Sequence, residues 1–206
     1  LAQKIVSKAE GRMVDLATVK PSPRAVELAA EVLKDPRLVE LILSESMRVV
    51  RSRPNVLIVE HKLGLIMANA GIDQSNVAPQ DGVERALLLP KDPDASAEAL
   101  RTRLGVSAVL IIDSFGRPWR KGTTGVAIGA AGLPSFIDMR GQTDMFGRVL
   151  QVTMPAFADE IAAAASLVMG QADEAQPAVL VRGLSWKAPN LPASELIRAS
   201  AEDLFR

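Results

Sequence analysis

Side chains that carry oxygen or amide groups are concentrated in one stretch of the sequence, residues 68–77. The polar members of this stretch are Asn69, Asp73, Gln74, Ser75 and Asn76. Oxygen ligands of this kind suit a hard cation such as Mg²⁺, and small residues such as Ala70 and Gly71 let a backbone approach a ligand closely. The stretch therefore indicates a site for a cation or a phosphate group rather than a nucleophile. An Asx-rich turn between two elements is the simpler alternative.

A second candidate carboxylate, Asp113, follows the apolar run of residues 106–112, which predicts a buried strand. Ligands gather where strands end, so Asp113 is a candidate metal ligand, although it could instead cap the turn that follows. The cations Arg117, Arg120 and Lys121 come next and indicate an anion site. A solvated loop face is the alternative for these three side chains.

The first residues of the chain, 1–6, are predicted to be the end of a strand. Residues 3–11, Gln-Lys-Ile-Val-Ser-Lys-Ala-Glu-Gly, would then form a phosphate-facing loop with Lys8 as a point charge, or a solvated strand end. Because the chain begins with Leu1 in such a segment, we expect an N-terminal portion to precede it.

Composition limits the class of protein. With 206 residues, 48% apolar and 23% charged, the chain can bury an ordinary core in one large domain or two small ones. Its formal net charge is zero, so no basic surface for nucleic acid is indicated. No apolar run is long enough to cross a bilayer, and a cytoplasmic protein without membrane or nucleic-acid partners is the simplest expectation.

The inventory of reactive side chains is narrow, because the sequence contains no Cys and a single His. This excludes disulfides, thiol nucleophiles and zinc sites made of several His or Cys residues. His61, in the segment Glu-His-Lys-Leu-Gly, is predicted to be an exposed residue at a hairpin tip. We therefore expect no covalent nucleophile; carboxylates, amides, hydroxyls and cations remain, which suit Mg²⁺ or Mn²⁺ holding phosphates.

Hydrophobic periodicity and capping residues predict an α+β fold with mixed or antiparallel sheets and flanking helices. Helices are expected at residues 23–34, 36–50, 97–104, 155–169 and 194–205. Strands are expected at residues 56–59, 63–67, 106–112 and 178–181. Residues 123–132 are rich in Gly and Ala but contain neither a P-loop nor a Rossmann fingerprint.

The order and spacing of several segments resemble the coenzyme F420:L-glutamate ligase family, also called gamma-glutamyl ligase, over nearly the whole chain. The segments are residues 3–11, 68–77, 87–96, 113–122, 138–147, 158–170 and 181–183. The resemblance implies a ligase that uses GTP to phosphorylate a carboxylate of the deazaflavin coenzyme precursor, after which the amine of L-glutamate attacks the acyl phosphate. It also implies a single ligase domain over residues 1–206, whose internal division the sequence leaves open, in an α+β fold that forms intertwined homodimers.

The family's functional positions can be transferred residue by residue as expectations. Metal ligands are expected at Asp73, Asp113, Ser114 and Gln171, with Mg²⁺ or Mn²⁺ and also K⁺ as cofactors. Ser114 also matches a nucleotide-contacting position. The other expected nucleotide contacts are Gln3, Ser7, Lys8, Asn76, Met169, Gly170, Gln171, Ala172, Asp173, Glu174, Ala175 and Gln176. The family has further nucleotide contacts upstream of Leu1.

Two other functions fit the same residues. One is a related amide ligase that acts on a different carboxylate, such as a pterin-type acceptor. The other is a nucleotide-binding or structural homologue without catalysis, against which the presence of both Asp73 and Asp113 argues.

Overall fold

The computed structural model describes residues 1–75, 77 and 82–203. Its internal contacts divide the chain into two compact units. The amino-terminal unit comprises Gln3–Lys91 and Phe115–Gly122, and the carboxyl-terminal unit comprises Leu1–Ala2, Asp92–Ser114 and Thr123–Arg206.

Five helices and seven strands form the regular structure of the described residues. The helices are α1 (Gln3–Ala9), α2 (Pro23–Val32), α3 (Pro36–Ser44), α4 (Pro93–Leu104) and α5 (Phe157–Met169). The strands are β1 (Met13–Asp15), β2 (Ser46–Arg53), β3 (Val56–His61), β4 (Ile66–Ala68), β5 (Arg85–Leu87), β6 (Val109–Arg117) and β7 (Arg120–Ala131).

In the amino-terminal unit, β2, β3 and β4 form an antiparallel sheet, and β1 pairs antiparallel with β5. Alternate residues of β3 are buried, as expected for a strand with one face on a core. Helices α2 and α3 cover that face and contribute much of its apolar core. The core residues of these helices and of β3 are Leu28, Val32, Val39, Ile42, Leu57 and Val59.

The predicted starts of α2 and α3 are confirmed. Ser22 accepts a hydrogen bond from the backbone N–H of Ala25 at 3.2 Å, and Asp35 accepts one from that of Arg37 at 2.7 Å. A Pro follows each cap at the first helical position, where a missing N–H costs nothing. Helix α2 stops at Val32 because Leu33 adopts a left-handed conformation with φ of 54°.

The prediction of one helix over residues 36–50 is wrong after Ser44. The chain turns at Glu45 and continues as β2, which pairs with β3 so that Val49 lies opposite Val59. Apolar residues in this segment fit the helical period, but β-branched residues such as Val49 and Val50 fit a strand equally well. Pairing with β3 decided between the two, and Pro54 lies in the hairpin turn rather than at a helix end.

The predicted strand at residues 1–6 is also wrong beyond its first two residues. Ala2 forms a single parallel bridge with Ile112, and the chain is helical from Gln3 to Ala9. Residues 3–9 are therefore helix α1, not a loop. The buried positions of α1 are Gln3, Val6 and Ser7, which have helical spacing. Because Gln3 and Ser7 are polar, a pattern of apolar residues does not show this spacing.

The carboxyl-terminal unit contains α4, α5 and most of the β6–β7 hairpin. Its apolar core is unusually rich in Ala, since α5 packs on β7 through small side chains. At Gly125 the backbones of β7 and α5 approach closely, because a Cβ at this position would lie 2.6 Å from the carbonyl oxygen of Ala162 on α5. Phe157 and Trp186 add an edge-to-face aromatic pair with ring centroids 5.8 Å apart.

Three predictions in this unit need correction. Strand β6 begins at Val109 and runs on to Arg117, so it extends well past Asp113. Residues 178–181 pair with no strand among the described residues, so this β-prone run remains extended coil. The predicted final helix is replaced by two short 3₁₀ helices, Ala193–Leu196 and Ser200–Glu202, while residues 204–206 lie outside the described residues. A short amphipathic pattern cannot by itself overcome the cost of starting an α-helix.

The fold class is mixed α+β, with small antiparallel sheets and flanking helices, as the sequence predicts. None of the helices described is both long enough and apolar enough to cross a membrane.

Candidate functional site

Asp73 is fixed through its own backbone and side chain. Its N–H donates to the carbonyl of Leu87 at 3.0 Å, and its carbonyl accepts from the N–H of Leu87 at 2.9 Å. The Oδ1 atom accepts hydrogen bonds from the N–H of Ser75 at 2.7 Å and from its hydroxyl at 2.6 Å. The Asx turn considered as an alternative is thus present, and it holds the carboxylate in one orientation.

The second carboxylate oxygen of Asp73 faces a cation. The Nζ atom of Lys4, on α1, lies 2.6 Å from Oδ2 of Asp73. The same ammonium group donates to the hydroxyl and carbonyl oxygens of Ser75 at 3.1 Å and 3.3 Å. The sequence pattern gives no sign of this contact, because a strand end and a loop over residues 3–11 would not direct Lys4 toward Asp73.

Ala70 and Gly71, two small residues within residues 68–77, pack in the apolar core. Ala70 is fully buried, and a Cβ added to Gly71 would lie 2.7 Å from Cε of Met67 and 2.9 Å from Cδ1 of Leu89. Gly71 also has a φ of 64°, which favours Gly over other residues. The neighbouring Asn76, an expected nucleotide contact, lies outside the described residues.

On α1, the expected nucleotide contacts Gln3 and Ser7 are buried and lie one turn apart. The hydroxyl of Ser7 donates to Oε1 of Gln3 at 2.9 Å. Within the part of the chain that the structure describes, Nε2 of Gln3 has no hydrogen-bond partner. Lys8, on the same helix, is exposed.

Asp113 lies inside β6, not at its end. Its Oδ1 atom accepts a hydrogen bond from the N–H of Ser114 at 2.8 Å. Ser114 in turn donates from its hydroxyl to Oε1 of Gln171 at 2.9 Å. The structure therefore places two of the four expected metal ligands, Ser114 and Gln171, in direct contact, and Asp113 directly precedes Ser114 in the strand. The three side chains offer carboxylate, hydroxyl and amide oxygens. This donor set fits a hard cation such as Mg²⁺ or Mn²⁺.

The expected nucleotide loop, from Met169 to Gln176, is shaped around the carboxylate of Glu174. Gly170 has φ and ψ of 72° and −175°, and a Cβ at this position would lie 2.0 Å from the carboxyl carbon of Glu174. The N–H of Ala172 donates to Oε2 of Glu174 at 2.8 Å. This hydrogen bond, with those from the N–H groups of Glu174 and Gln171, lowers the pKa of the Glu174 carboxyl group. The loop thus presents backbone N–H groups to an anion.

Two acidic residues in the first turns of helices anchor β7, the strand paired with the one that carries Asp113. Asp94 of α4 accepts from the N–H groups of Ala130 at 2.8 Å and Ala193 at 2.7 Å. Asp159 of α5 accepts from that of Ala127 at 2.9 Å. Burial raises the pKa of the Asp159 carboxyl group, against the effect of this hydrogen bond.

The candidate anion-binding residues Arg117, Arg120 and Lys121 flank the turn of the β6–β7 hairpin. All three are exposed, and Trp119 between them is 89% exposed with a φ of 63°. Residues 113–122 are therefore the end of one strand, a tight turn and the start of a second strand. The cations lie in the segment that groups with the amino-terminal unit.

His61 is buried, which contradicts its prediction as an exposed hairpin residue. Only 3% of the residue is exposed, and Nδ1 accepts a hydrogen bond from the N–H of Leu63 at 2.9 Å. Its Nε2 atom lies 3.7 Å from Oε2 of Glu45, which forms an ion pair with Arg12 at 2.6 Å. His61 is the last residue of β3 and shares the inward direction of Leu57 and Val59, a period-two signal present in the sequence.

The described residues contain no group of three or more His, Asp or Glu side chains placed to hold a metal ion. Asp73 and its neighbours belong to the amino-terminal unit, while Asp113, Ser114 and Gln171 belong to the carboxyl-terminal unit.

Comparison with known proteins identifies the family. The family model described as F420-0:Gamma-glutamyl ligase matches residues 1–183. The chain belongs to this family, as the sequence predicts, and so to a family of ligases that form amide bonds.

Curated relatives match over the whole chain. A protein of Methanothermobacter thermautotrophicus named coenzyme F420:L-glutamate ligase is 50% identical over 213 residues, covering 100% of this chain and 83% of its own length. A protein of Methanopyrus kandleri with the same name is 46% identical over 216 residues, with 100% and 84% covered. One from Archaeoglobus fulgidus, again of that name, is 43% identical over 208 residues, with 98% and 81% covered.

Proposed function

We propose that this protein joins L-glutamate to the F420-0 precursor of coenzyme F420, and that GTP activates a carboxylate of that precursor. The observation that carries the proposal is the family match over residues 1–183, together with relatives of that name at 46% and 50% identity across the chain. A cytoplasmic location is part of the proposal, because GTP is a cytoplasmic substrate.

The proposed reaction has two steps. A carboxylate oxygen of the precursor attacks the γ-phosphorus of GTP, and the bond from that phosphorus to the bridging oxygen breaks, which yields an acyl phosphate and GDP. The neutral amine of L-glutamate then attacks the acyl carbon. The carbon–oxygen bond to phosphate breaks, phosphate leaves, and the nitrogen loses a proton to give the amide.

Neither step needs a covalent nucleophile from the protein. This agrees with a sequence that has no Cys and whose single His is buried beside Glu45. The protein's contribution is to position the reactants and to offset the negative charge of the transferring phosphoryl group. The exposed Lys8 of α1 is suited to phosphate oxygens.

Mg²⁺ or Mn²⁺ belongs to the proposal, with K⁺ as an additional cation. Asp113, Ser114 and Gln171 would hold a divalent cation through their oxygens, and Asp73 would hold one through Oδ2. When bound, such a cation neutralises charge on phosphate oxygens.

A homodimer is also proposed. The carboxyl-terminal unit exposes several large apolar side chains, among them Met145 at 88%, Phe146 at 87% and Val152 at 84%. Exposed apolar surface of this kind is typical of protein interfaces. Light scattering at micromolar concentration should give twice the mass of the chain, and a monomer mass would contradict this part of the proposal.

The reaction is tested by incubating the protein with GTP, Mn²⁺ or Mg²⁺, L-glutamate and F420-0. Mass spectrometry should show a precursor with one added glutamyl unit, and GDP and phosphate should appear together with it. Asp73→Asn should abolish the product without loss of folding. Neutralising the charge of phosphate oxygens stabilises such transition states by about 3 kcal/mol or more.

Each other outcome points to a different function. GDP release that is independent of F420-0 but stimulated by a pterin-type carboxylate would indicate a related amide ligase. No nucleotide turnover by folded, metal-loaded protein with any of these acceptors would indicate a homologue without catalysis.

A further inference from the structure

Both carboxylate oxygens of Asp73 have partners among the described residues of the amino-terminal unit. Oδ1 receives two hydrogen bonds from Ser75, and Oδ2 receives the ammonium group of Lys4 at 2.6 Å. The backbone of Asp73 is held on both sides by Leu87. Oδ2 is therefore the atom through which Asp73 holds a cation, and in this structure that cation is the ammonium group of Lys4.

The surroundings of the Lys4 ammonium group resemble those of a hard cation. Among the described residues, three oxygens lie around Nζ: Oδ2 of Asp73 at 2.6 Å, and the hydroxyl and carbonyl of Ser75 at 3.1 Å and 3.3 Å. A carboxylate, a hydroxyl and a backbone carbonyl are the donor types that bind divalent cations in proteins. The ammonium group stands in for such an ion with one positive charge instead of two.

We propose that Lys4 is the resident cation of Asp73, and that a divalent cation binds Asp73 only when Lys4 leaves it. The inference rests on the proposed function, which assigns a metal to Asp73. A lysine suits this role, because its ammonium is a compact charge on a flexible four-carbon stem that can move away without a change in the backbone. The pair is also partly exposed, with 31% of the Lys4 and 25% of the Asp73 side chain accessible, so release into water is inexpensive.

The consequence is a built-in weakening of metal binding. A divalent cation must displace an ion pair before it reaches Oδ2, and it meets a like charge if Lys4 stays near. Removing the Lys4 charge should therefore tighten binding of the metal alone. A permanent structural role for the Lys4–Asp73 pair predicts instead that removing Lys4 costs stability and leaves metal affinity unchanged.

The experiment measures Mn²⁺ binding in the absence of nucleotide, by the loss of free Mn²⁺ signal in electron paramagnetic resonance. Lys4→Met should bind Mn²⁺ roughly three- to tenfold more tightly than the unchanged protein. Lys4→Arg, which keeps a cation, should bind like the unchanged protein or more weakly. Lys20→Met is the matched control: it removes the same charge from an exposed residue and should leave affinity unchanged.

Three outcomes would overturn the inference. Equal affinity in Lys4→Met and the unchanged protein, or weaker affinity in Lys4→Met, would show that Lys4 does not compete with the metal. An equal gain in Lys20→Met would show that only net charge matters. Asp73→Asn separates this result from a failure of the proposed function: if it leaves Mn²⁺ binding intact, Asp73 holds no metal and both assignments fall.

A second measurement follows Lys4 directly. The Cε and Nζ resonances of Lys4, assigned by comparison with Lys4→Arg, should shift toward those of a solvated lysine when Mg²⁺ is added. Lys4 resonances that stay unchanged while Mg²⁺ binds in an Asp73-dependent way would overturn the proposal. Thermal unfolding of each variant by circular dichroism checks that the compared proteins are folded.

Discussion

Ser114 on β6 donates a hydrogen bond from its hydroxyl to the side-chain oxygen of Gln171 at 2.9 Å, across 57 positions of the sequence. The contact joins the strand that carries Asp113 to the loop after α5, where Glu174 is held by backbone N–H groups. Two oxygen-bearing side chains to which the family resemblance gives a metal-binding role are thus in direct contact. The following predictions test what this contact is for.

The first prediction concerns the charge at position 171. Gln171→Glu keeps an acceptor for the Ser114 hydroxyl and adds a negative charge beside it. Because anionic oxygen ligands raise the affinity of divalent cations, we expect Mn²⁺ to bind about tenfold more tightly, which is about 1.4 kcal/mol. Isothermal titration calorimetry with Mn²⁺ measures this affinity directly.

The matched control for this change is Gln142→Glu, which adds the same charge at an exposed position of the same unit. It should leave the Mn²⁺ affinity unchanged. An unchanged affinity in Gln171→Glu, or an equal gain in Gln142→Glu, would contradict a ligand role for Gln171.

The second prediction concerns Asp113. Asp113→Asn retains an oxygen that can accept the hydrogen bond from the N–H of Ser114, but it removes the charge. We expect Mn²⁺-dependent nucleotide binding to weaken by roughly tenfold or more while the fold remains intact. If Asp113 serves only to accept the hydrogen bond from the N–H of Ser114, the variant should lose about 0.5–2 kcal/mol of stability and show no metal effect. Asp138→Asn, which removes an exposed carboxylate paired with Arg140, is the control for charge alone.

Local capping chemistry made part of the fold predictable. Ser22 and Asp35, each followed by Pro, mark the starts of α2 and α3, since a cap and its helix are separated by only a few residues. Gly170 marks the end of α5 for the same reason. Where pairing between distant residues determines the secondary structure, local sequence patterns give the wrong prediction. Val49 fits a helical period, but pairing with Val59 makes this segment a strand.

The candidate site shows the same division. Asp73, Asp113, Ser114 and Gln171 could be named because the family resemblance supplies residue types at set positions. Lys4 could not be found, since its contact with Asp73 spans 69 positions and required α1 to be recognised as a helix. The burial of His61 differs from the prediction because His61 is the last inward residue of β3, whereas the prediction places it one position further on, in the exposed turn.

The third prediction uses two glycines that differ only in their surroundings. A Cβ at Gly129 on β7 would lie 2.3 Å from the carbonyl oxygen of Pro93 at the start of α4, and backbone cannot move aside cheaply. We expect Gly129→Ala to lose about 1–3 kcal/mol of unfolding free energy. Urea denaturation followed by circular dichroism provides the measurement.

Gly116 on β6 is the matched control, because no atom lies within 4 Å of its would-be Cβ. Gly116→Ala should change stability by less than about 0.5 kcal/mol. Equal stability of the two variants would show that α4 does not pack on β7 as closely as the structure describes.

The last prediction concerns the charges around Glu45 in the amino-terminal unit. Three cationic or titratable groups face its carboxylate: His61 with Nε2 at 3.7 Å, Arg12 at 2.6 Å, and Lys62 at longer range. His61 and then Arg12 hold the pKa of Glu45 below its usual value, although burial acts in the opposite direction. The folded state therefore binds the proton of Glu45 more weakly than the unfolded chain does.

The sign of the pH dependence follows from this shift. The stability that Glu45 contributes is present above the ordinary pKa of glutamate, about 4.3, and is lost as the pH falls through the lowered value. At pH 7 we expect Glu45→Gln to be about 1–3 kcal/mol less stable, because Arg12 loses its partner in a site where only 14% of its side chain is exposed. Toward about pH 3 the difference between the two proteins should shrink, since the unfolded chain then binds the proton of Glu45 more readily than the folded state does.

Urea denaturation from about pH 7 to about pH 3 tests this prediction. Glu31→Gln is the control, since Glu31 is an exposed residue of α2, and it should follow the unchanged protein within about 0.5 kcal/mol. A difference for Glu45→Gln that is the same at both ends of this range would contradict the lowered pKa. No difference at pH 7 would show instead that the Arg12–Glu45 pair adds nothing to the stability of the fold.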